Sequence, residues 1–396
     1  MKTLSFLCTF LIISLVFPVC CPCGAMGREI SGTADIPGKS PDGNLLSKPD
    51  LPSMAGQMIM AGFRGTGDEP LHEDLANILE YIAQGKVGGV ILFDRDAILK
   101  TSERNIRSPG QVLLLTRMLQ EAAPLPLFIG VDQEGGKVRR LKVENGFPPL
   151  ASPGELGRAS AEKTEETGKE LGKLLRSLGI NLNFAPGLDV NINPGSPAIG
   201  ALGRSFSKDP VIVSAHGLAF AKGLSAGGVI PCFKHFPGHG SAHEDTHLGL
   251  ADITTTWKEA ELLPYREILP QSPPAMVMPG HIVHREKTGN LPASLSEIAI
   301  QSMLRDGIGW EGVVITDDLQ MQAVEGRFST KEALRLAVLA GADILLLGNN
   351  LRHDSNEAGK AHALLLELVS EGAIPVSRIE ESYRRIIRLK RDAGLL

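Results

Sequence analysis

The sequence predicts a single α/β domain of the (β/α)8 barrel type. Eight short apolar segments alternate with longer amphipathic ones from about residue 51 onward. This alternation is typical of parallel sheets, in which helical crossovers connect the strands. Eight such units within about 300 residues favour a closed barrel over an open doubly wound sheet, and the spaced-glycine nucleotide fingerprint of the open sheet is absent from the sequence.

The strand candidates are apolar runs bounded by polar or turn-forming residues. They span residues 58–63, 87–93, 125–131, 182–186, 229–235, 275–281, 313–316 and 344–347. Helical patterns lie between them, among them residues 108–123, 160–178, 210–226, 295–306 and 330–340. Apolar residues at helical spacing in 379–389 predict a last helix that closes the barrel on its outside. We expect residues 51–396 to form this barrel without a second domain.

The first 25 residues have the pattern of a signal peptide. Lys2 is followed by an apolar run over residues 4–19 and then by Cys20, Cys21 and Cys23. The pattern predicts export to the periplasm or the extracellular space. A lipid anchor on a leader cysteine remains an alternative, and it is the only membrane attachment we expect. Residues 26–50 are rich in Gly, Pro and Ser and are predicted to be a flexible linker.

Composition limits the classes of partner and of covalent chemistry. The 396 residues carry a formal charge of −5, and no cluster of lysine and arginine suggests a nucleic-acid partner. Cys232 is the sole cysteine outside the leader, so no internal disulfide is expected in the mature chain. We predict that Cys232 is a small apolar residue in a buried strand.

Charged and polar residues follow almost every predicted strand. In α/β barrels the chemistry lies at the C-terminal ends of the strands, and a purely structural barrel has no reason to collect carboxylates, cations and histidines there. The set therefore predicts an active site. Its members are Asp132, Glu134, Arg139, Arg140, Asp189, Asn191, Arg204, Lys234, His235, His239, Asp245, His247, His281, Asp317, Asp318 and Asn349.

Two segments carry a family resemblance. The KHFPGHG motif starting at Lys234, followed by Asp245-Thr246-His247, and the ITDDLQM motif ending at Met321 resemble signature segments of glycoside hydrolase family 3, specifically its β-N-acetylhexosaminidases. The segments VDQEGGKVRRL, GRSFS, PASLS and AGADILLL resemble the family in the same order. The resemblance covers most of residues 51–396 and implies hydrolysis of terminal N-acetylglucosaminides.

The resemblance also implies catalytic roles. Asp317 would be the nucleophile that forms a covalent glycosyl-enzyme with retention of configuration, and Asp318 would support it. His247, paired with Asp245, would be the general acid and base, because imidazole titrates near neutral pH and a carboxylate orients it.

The same resemblance implies five residues that bind the sugar hydroxyls and the acetamido group. These are Asp132, Arg140, Arg204, Lys234 and His235. No cofactor and no metal are expected. His239 and His243 are taken as loop residues, and Val283–Glu286 departs from the family pattern, which leaves preference beyond the first sugar open.

Several alternatives remain at this level. A β-glucosidase or another family 3 glycosidase is one, and a sugar-binding barrel without activity is another. Histidines at every fourth position from His235 to His247 would form a metal site only on a helix, which Pro237, Gly238 and Gly240 disfavour. The amino-sugar oligosaccharide itself, from peptidoglycan or from chitin, the acceptor (water or phosphate) and the oligomeric state stay open.

Overall fold

A computed structural model of the chain describes residues 49–68, 70–246 and 249–396. The predicted signal peptide and almost all of the predicted linker lie outside these residues. The centre is a sheet of eight parallel strands, each at one of the eight positions predicted from the sequence. They are β1 Ile59–Gly62, β2 Gly89–Leu92, β3 Phe128–Val131, β4 Leu182–Asn183, β5 Ile230–Phe236, β6 Met276–Pro279, β7 Val313–Val314 and β8 Leu345–Leu347.

The strands are arranged in chain order. Each pairs in parallel with the next from β1 to β7, and β8 lies beside β1. The two outer strands are also linked, by a parallel bridge between Ile315 and Ile344. There the Thr316 amide donates to the Ile344 carbonyl oxygen at 3.0 Å, and the Ile344 amide donates to the Val314 carbonyl oxygen at 3.1 Å. The predicted α/β class with a curled parallel sheet is confirmed.

Helices connect the strands and cover the sheet. The α-helices are Leu51–Gln57, Glu73–Ala83, Pro109–Glu121, Pro153–Leu156, Ala161–Ser177, Pro210–Ala226, Leu263–Ile268, Arg285–Thr288, Gln322–Glu325, Thr330–Ala340, Glu357–Ser370 and Val376–Asp392. A π-helix spans Ile298–Asp306, and 3-10 turns span Val143–Asn145, Gly200–Leu202, Glu259–Leu262, Leu269–Gln271 and Ala293–Leu295. Two small sheets complete the set, an antiparallel one of Gln133–Gly135 with Val138–Arg139 and a parallel one of Ala251–Asp252 with Ile282–Val283.

The predicted helix starts are explained by side-chain caps. Ser108, Ser160, Asp209 and Ser329 each accept a hydrogen bond from a backbone amide of the first turn that follows. Such caps satisfy amides that have no partner inside the helix. Predicted and observed helices therefore begin within a residue or two of each other at these four positions.

The core fills the space inside the sheet and between the sheet and the helices. Every residue of β1 to β8 is buried, as expected for parallel strands covered on both faces. Cys232 is fully buried in β5, which confirms its prediction. Among the described residues, no helix combines the length and apolar character needed to cross a bilayer.

A buried carboxylate fastens the last helix to the sheet. Asp343, just before β8, is fully buried, and its Oδ2 accepts from Arg305 Nη2 at 2.9 Å. Its Oδ1 accepts from Arg378 Nη2 at 3.1 Å and from Arg385 Nη1 at 3.3 Å, both on the helix Val376–Asp392. Because a buried carboxylate is costly without partners, this cluster fixes where the last helix docks.

The last helix also contacts the first one. Lys390 is fully buried, and its Nζ donates to Gln57 Oε1 at 2.6 Å and lies 4.6 Å from the centroid of the Phe128 ring. Burial lowers the pKa of Lys390 from 10.5 to about 7, because desolvation disfavours the charged ammonium. The predicted closing helix is thus present and longer than expected.

Candidate active site

One cavity of about 580 Å³ opens beyond the C-terminal ends of the strands. Six of the eight residues with a predicted catalytic or sugar-binding role line it: Asp132, Arg140, Arg204, Lys234, His235 and Asp317. Asp245 is described and half-buried but is not among the lining residues, and His247 lies outside the described residues. The fold therefore brings together residues that are up to 185 positions apart in the sequence, counted from Asp132 to Asp317 (317 minus 132).

A buried network of charges forms one wall of the cavity. Lys234, at the C-terminal part of β5, places its Nζ 2.8 Å from Asp132 Oδ1 and 2.7 Å from Glu134 Oε1. Arg204 donates to both oxygens of Glu134, with Nε to Oε2 at 2.8 Å and Nη2 to Oε1 at 2.7 Å. Two-point pairing of this kind fixes the guanidinium plane. Two cations thus share two carboxylates at fixed positions.

The network keeps its carboxylates ionised. Burial opposes the ionisation of Glu134, but Arg204 and Lys234 outweigh that cost and lower the pKa of Glu134 to about 2. Burial likewise opposes the charge on Asp132, and Lys234 and Arg140 hold the pKa of Asp132 well below its usual range. Glu134 was in the set of strand-end residues, but it was not assigned a binding role. Its position, two residues after Asp132 at the end of β3, was the available signal.

Arg140 is held on the same wall. Its Nη2 donates to Asp132 Oδ2 at 3.2 Å, and its guanidinium carbon lies 5.6 Å from the centroid of the Phe93 ring. The neighbouring Arg139 instead donates to the Gly136 carbonyl oxygen at 2.9 Å and does not line the cavity. Of the two adjacent arginines, Arg140 is the one that lines the cavity.

Asp189 holds the segment that follows Lys234. Its Oδ2 is 2.8 Å from His235 Nδ1, and its Oδ1 accepts from the backbone amides of His235 at 3.2 Å and His239 at 2.8 Å. Burial opposes its ionisation, yet His235 and the amide donors lower the pKa of Asp189. His235 Nε2 lies 3.4 Å from Arg204 Nη2, so the imidazole is fixed from both sides.

The loop after β5 is packed against a second buried acid. Glu261 is fully buried, and its Oε2 accepts from the Gly240 amide at 3.0 Å. Burial raises the pKa of Glu261 to about 7. His239 is predicted from the sequence to be an ordinary loop residue, but it is buried and lines the cavity. Burial lowers the pKa of His239 to about 4. His239 therefore presents a neutral imidazole to the cavity.

The helix required by the metal-site alternative is not formed. His235 lies in β5, His239 follows in an irregular loop, and His243 is exposed. Across residues 49–68, 70–246 and 249–396, no group of three His, Cys, Asp or Glu side chains is arranged to hold a metal ion.

Asp317 and Asp318 follow β7 and line the same cavity as the charged network. The Asp318 amide donates to Asp317 Oδ1 at 2.8 Å, which orients the half-buried Asp317 carboxylate. Asp318 Oδ1 accepts from the amides of Gln320 at 3.1 Å and Gly348 at 2.9 Å. Asp318 thus supports the turn that carries Asp317, and the next helix, Gln322–Glu325, has Met321 at its cap position.

His281, at the end of β6, steadies the same turn. Its Nε2 lies 2.8 Å from the Asp318 carbonyl oxygen, and its Nδ1 lies 2.6 Å from Ser294 Oγ. A carbonyl oxygen only accepts, so Nε2 carries the hydrogen, and in the neutral ring Nδ1 accepts from the serine hydroxyl. Asp318 is therefore held from β6 through its carbonyl oxygen and from the end of β8 through its carboxylate.

The sequence and the fold were compared with known proteins. The model of the glycosyl hydrolase family 3 N-terminal domain matches residues 52–389. Beta-hexosaminidase A of Pseudoalteromonas piscicida is 34% identical over 374 residues, covering 85% of this chain and 60% of the relative. Beta-hexosaminidase LpqI of Mycobacterium tuberculosis is 36% identical over 288 residues, covering 70% of this chain and 71% of the relative.

Solved structures agree with these relatives. A glycoside hydrolase family 3 β-N-acetylglucosaminidase from Paenibacillus sp. superposes with a TM-score of 0.79 at 35% identity, covering 88% of this chain and 63% of that one. A β-N-acetylhexosaminidase from Beutenbergia cavernae superposes with a TM-score of 0.76 at 26% identity, covering 87% and 99%. The chain thus spans less than two thirds of the Pseudoalteromonas and Paenibacillus proteins.

Proposed function

Because the chain belongs to glycosyl hydrolase family 3, we propose that it is a retaining β-N-acetylglucosaminidase that releases terminal N-acetylglucosamine from amino-sugar oligosaccharides. The observation that carries the proposal is the placement of Asp317 in one cavity with the ionised network of Asp132, Glu134, Arg204 and Lys234. The names of the relatives support the acetamido sugar as the substrate.

The charged network that forms one wall of the cavity recognises the terminal sugar. Hydroxyl groups donate to carboxylate oxygens and accept from ammonium and guanidinium groups. Asp132, Arg140, Arg204, Lys234 and His235 are fixed by one another before any sugar arrives, so little reorganisation accompanies binding. A sugar ring held at this wall shares the cavity with Asp317.

Asp317 is the nucleophile in this mechanism. Its carboxylate attacks the anomeric carbon, the bond to the leaving oxygen breaks, and a glycosyl ester with inverted configuration forms. Water then attacks the same carbon from the opposite face, and the second inversion restores the original configuration. The Asp318 amide stabilises the carboxylate of Asp317 in the orientation needed for attack.

His247 supplies and removes the proton. It protonates the leaving oxygen in the first step and takes a proton from the attacking water in the second, with Asp245 stabilising the imidazolium. These two roles rest on the DTH motif in the sequence, since His247 lies outside the described residues. No cofactor takes part in either step.

Two further proposals concern the chain as a whole. We propose that residues 51–396 form a closed (β/α)8 barrel, which the bridge between Ile315 and Ile344 supports. We also propose that residues 1–25 direct export of the protein. The alternative is export followed by attachment to the membrane through a lipid on a leader cysteine. Peptidoglycan fragments and chitooligosaccharides are the substrates that an exported enzyme of this kind would meet.

The activity is tested with aryl β-N-acetylglucosaminide and aryl β-glucoside, using the wild type, Asp317→Ala and the exposed-surface control Asp306→Asn. We expect cleavage of the acetamido substrate by the wild type and the control, and loss of at least about 1,000-fold in kcat for Asp317→Ala. Azide added to Asp317→Ala should restore release of the aryl group and yield the α-glycosyl azide, because the small anion enters the space of the carboxylate.

Each part of the proposal would be refuted by a different experimental result. Preference for the glucoside would refute the substrate assignment. Full activity of Asp317→Ala would refute the nucleophile, and a product of inverted configuration from the wild type would refute the two-step mechanism. Absence of cleavage with intact sugar binding would favour the non-catalytic alternative.

A further inference from the structure

The open side of the active-site cavity is formed by two loops. Of the described residues that line the cavity, four are exposed to solvent, whereas the others are buried or half-buried. Three of the four, Arg95, Ala97 and Lys100, lie in the loop after β2, and the fourth, Leu351, lies in the loop after β8. Any part of a substrate that extends out of the cavity therefore passes along these two loops.

The cations on this side differ from those inside. Arg140, Arg204 and Lys234 each lie within 4.0 Å of a carboxylate. Within the part of the chain that the structure describes, neither Arg95 nor Lys100 has such a pair. Both residues line the exposed side of the cavity, so their charge is available to a ligand there.

The loop that carries these two cations is held in place. Asp96 Oδ2 accepts from Arg64 Nε at 2.7 Å, and Asp96 Oδ1 accepts from the Leu99 amide at 2.8 Å. The Ala97 amide donates to Asn350 Oδ1 at 2.9 Å, which joins this loop to the one after β8. Because the backbone between Arg95 and Lys100 is anchored, little backbone order is lost when an anion binds to these two side chains.

We propose that Arg95 and Lys100 are specificity-determining residues that favour leaving groups carrying a carboxylate. The inference rests on the proposed function, since it assumes that the terminal sugar occupies the enclosed end of the cavity. There the charged network satisfies the sugar hydroxyls, so the next sugar lies at the mouth. A neutral second sugar gains little from two unpaired cations, whereas a carboxylate gains a charge-assisted contact with each.

Two carboxylates on the cavity wall also bear on the binding of an anionic substrate. Asp317 and Asp318 are both half-buried acidic residues on the cavity wall. A carboxylate is negative when it is ionised. An anionic leaving group is repelled by them unless cations lie nearer to it. Arg95 and Lys100 supply that compensation at the mouth, away from the reacting carbon.

The test compares three disaccharides with the full chain. Each has N-acetylglucosamine β-1,4-linked to a second N-acetylglucosamine, whose 3-oxygen is unsubstituted, carries a lactyl carboxylate, or carries the corresponding neutral lactyl amide. The variant is Arg95→Gln with Lys100→Gln. The matched control is Lys137→Gln with Lys173→Gln, which removes the same charge from outside the cavity.

We expect the Arg95 and Lys100 variant to lose about 10-fold in kcat/KM for the carboxylate, mainly through KM, because each partly exposed charge contact contributes roughly a factor of three to five. The loss for the two neutral disaccharides should be at least five times smaller, and raising the salt concentration should reduce the wild-type preference for the carboxylate. The control variant should keep the wild-type preference.

Two results would overturn the inference. One is an equal loss on the carboxylate and its amide, which would indicate a steric role of the loop. The other is an unchanged preference for the carboxylate in the variant. Both are distinct from failure of the proposed function, in which the wild type would not cleave aryl β-N-acetylglucosaminide at all.

Discussion

Replacement of Lys390 by methionine should stabilise the protein, and the gain should shrink as the pH rises. Lys390 is fully buried between Gln57 and the Phe128 ring, with a pKa lowered from 10.5 to about 7. A base whose pKa falls on folding binds fewer protons in the native state than in the unfolded state across this window. The stability of the wild type therefore increases as the pH rises from about 7 toward 10.5.

The size of the effect follows from the shift. At about 1.4 kcal/mol per pKa unit, burial of Lys390 lowers the free energy of unfolding by about 5 kcal/mol at pH 6 and by about 2 kcal/mol at pH 9. Methionine fills a similar volume without charge, but it leaves Gln57 Oε1 without its donor, which costs about 1–2 kcal/mol. We expect a net gain of about 3 kcal/mol at pH 6 and of about 1 kcal/mol or less at pH 9.

Urea unfolding of the wild type and Lys390→Met at pH 6 and pH 9 measures this difference. Arg391→Met, an exposed cation in the same turn, is the matched control and should show no such change with pH. A Lys390→Met variant that is less stable than the wild type at pH 6, or whose gain is the same at both pH values, would refute the assignment of a desolvated, nearly neutral lysine.

Three other predictions follow from the same reasoning. Asp343→Ala should lower the free energy of unfolding by about 3–5 kcal/mol in urea titrations, because it leaves the buried Arg305 without an acidic partner, whereas Arg378 and Arg385 keep Glu381. Glu261→Gln should be more stable than the wild type above pH 7, because the raised pKa of Glu261 makes its ionised form costly in the native state. This gain should disappear toward pH 4.5, where Glu261 is protonated in the wild type. Melting temperatures of both proteins at pH 4.5 and pH 8 test this prediction. Gly348→Ala places a Cβ 2.3 Å from Asp318 Oδ2 and should lower kcat at least about 10-fold, whereas Gly110→Ala, with open space around its Cβ, should not.

Periodicity in the sequence predicted the sheet well, because buried parallel strands are continuous apolar runs. The helix Leu51–Gln57 was missed, since seven residues give too little periodicity to distinguish a helix from a loop. The π-helical geometry of Ile298–Asp306 was missed as well, because its apolar spacing matches that of an ordinary helix.

The site was predicted less completely than the sheet. Residues next to a strand end, such as Asp132 and Lys234, are recognisable from the chain alone, because the C-terminal edge of a parallel sheet collects them. Glu261 was not identified, since its role depends on the loop after β5 folding back onto it. The unpaired charge of Arg95 and Lys100 was also beyond the sequence, because pairing is a property of three-dimensional neighbours.

The contact between Lys390 and Gln57 joins residues 333 positions apart. A chain emerging from the ribosome or from an export channel exposes its first helix long before the last helix exists. Until residues 376–392 are released, Asp343 lacks Arg378 and Arg385, and one side of the first helix stays uncovered. The domain can therefore complete its folding only after its final helix is released, and a chaperone that binds nascent chains can act throughout that interval.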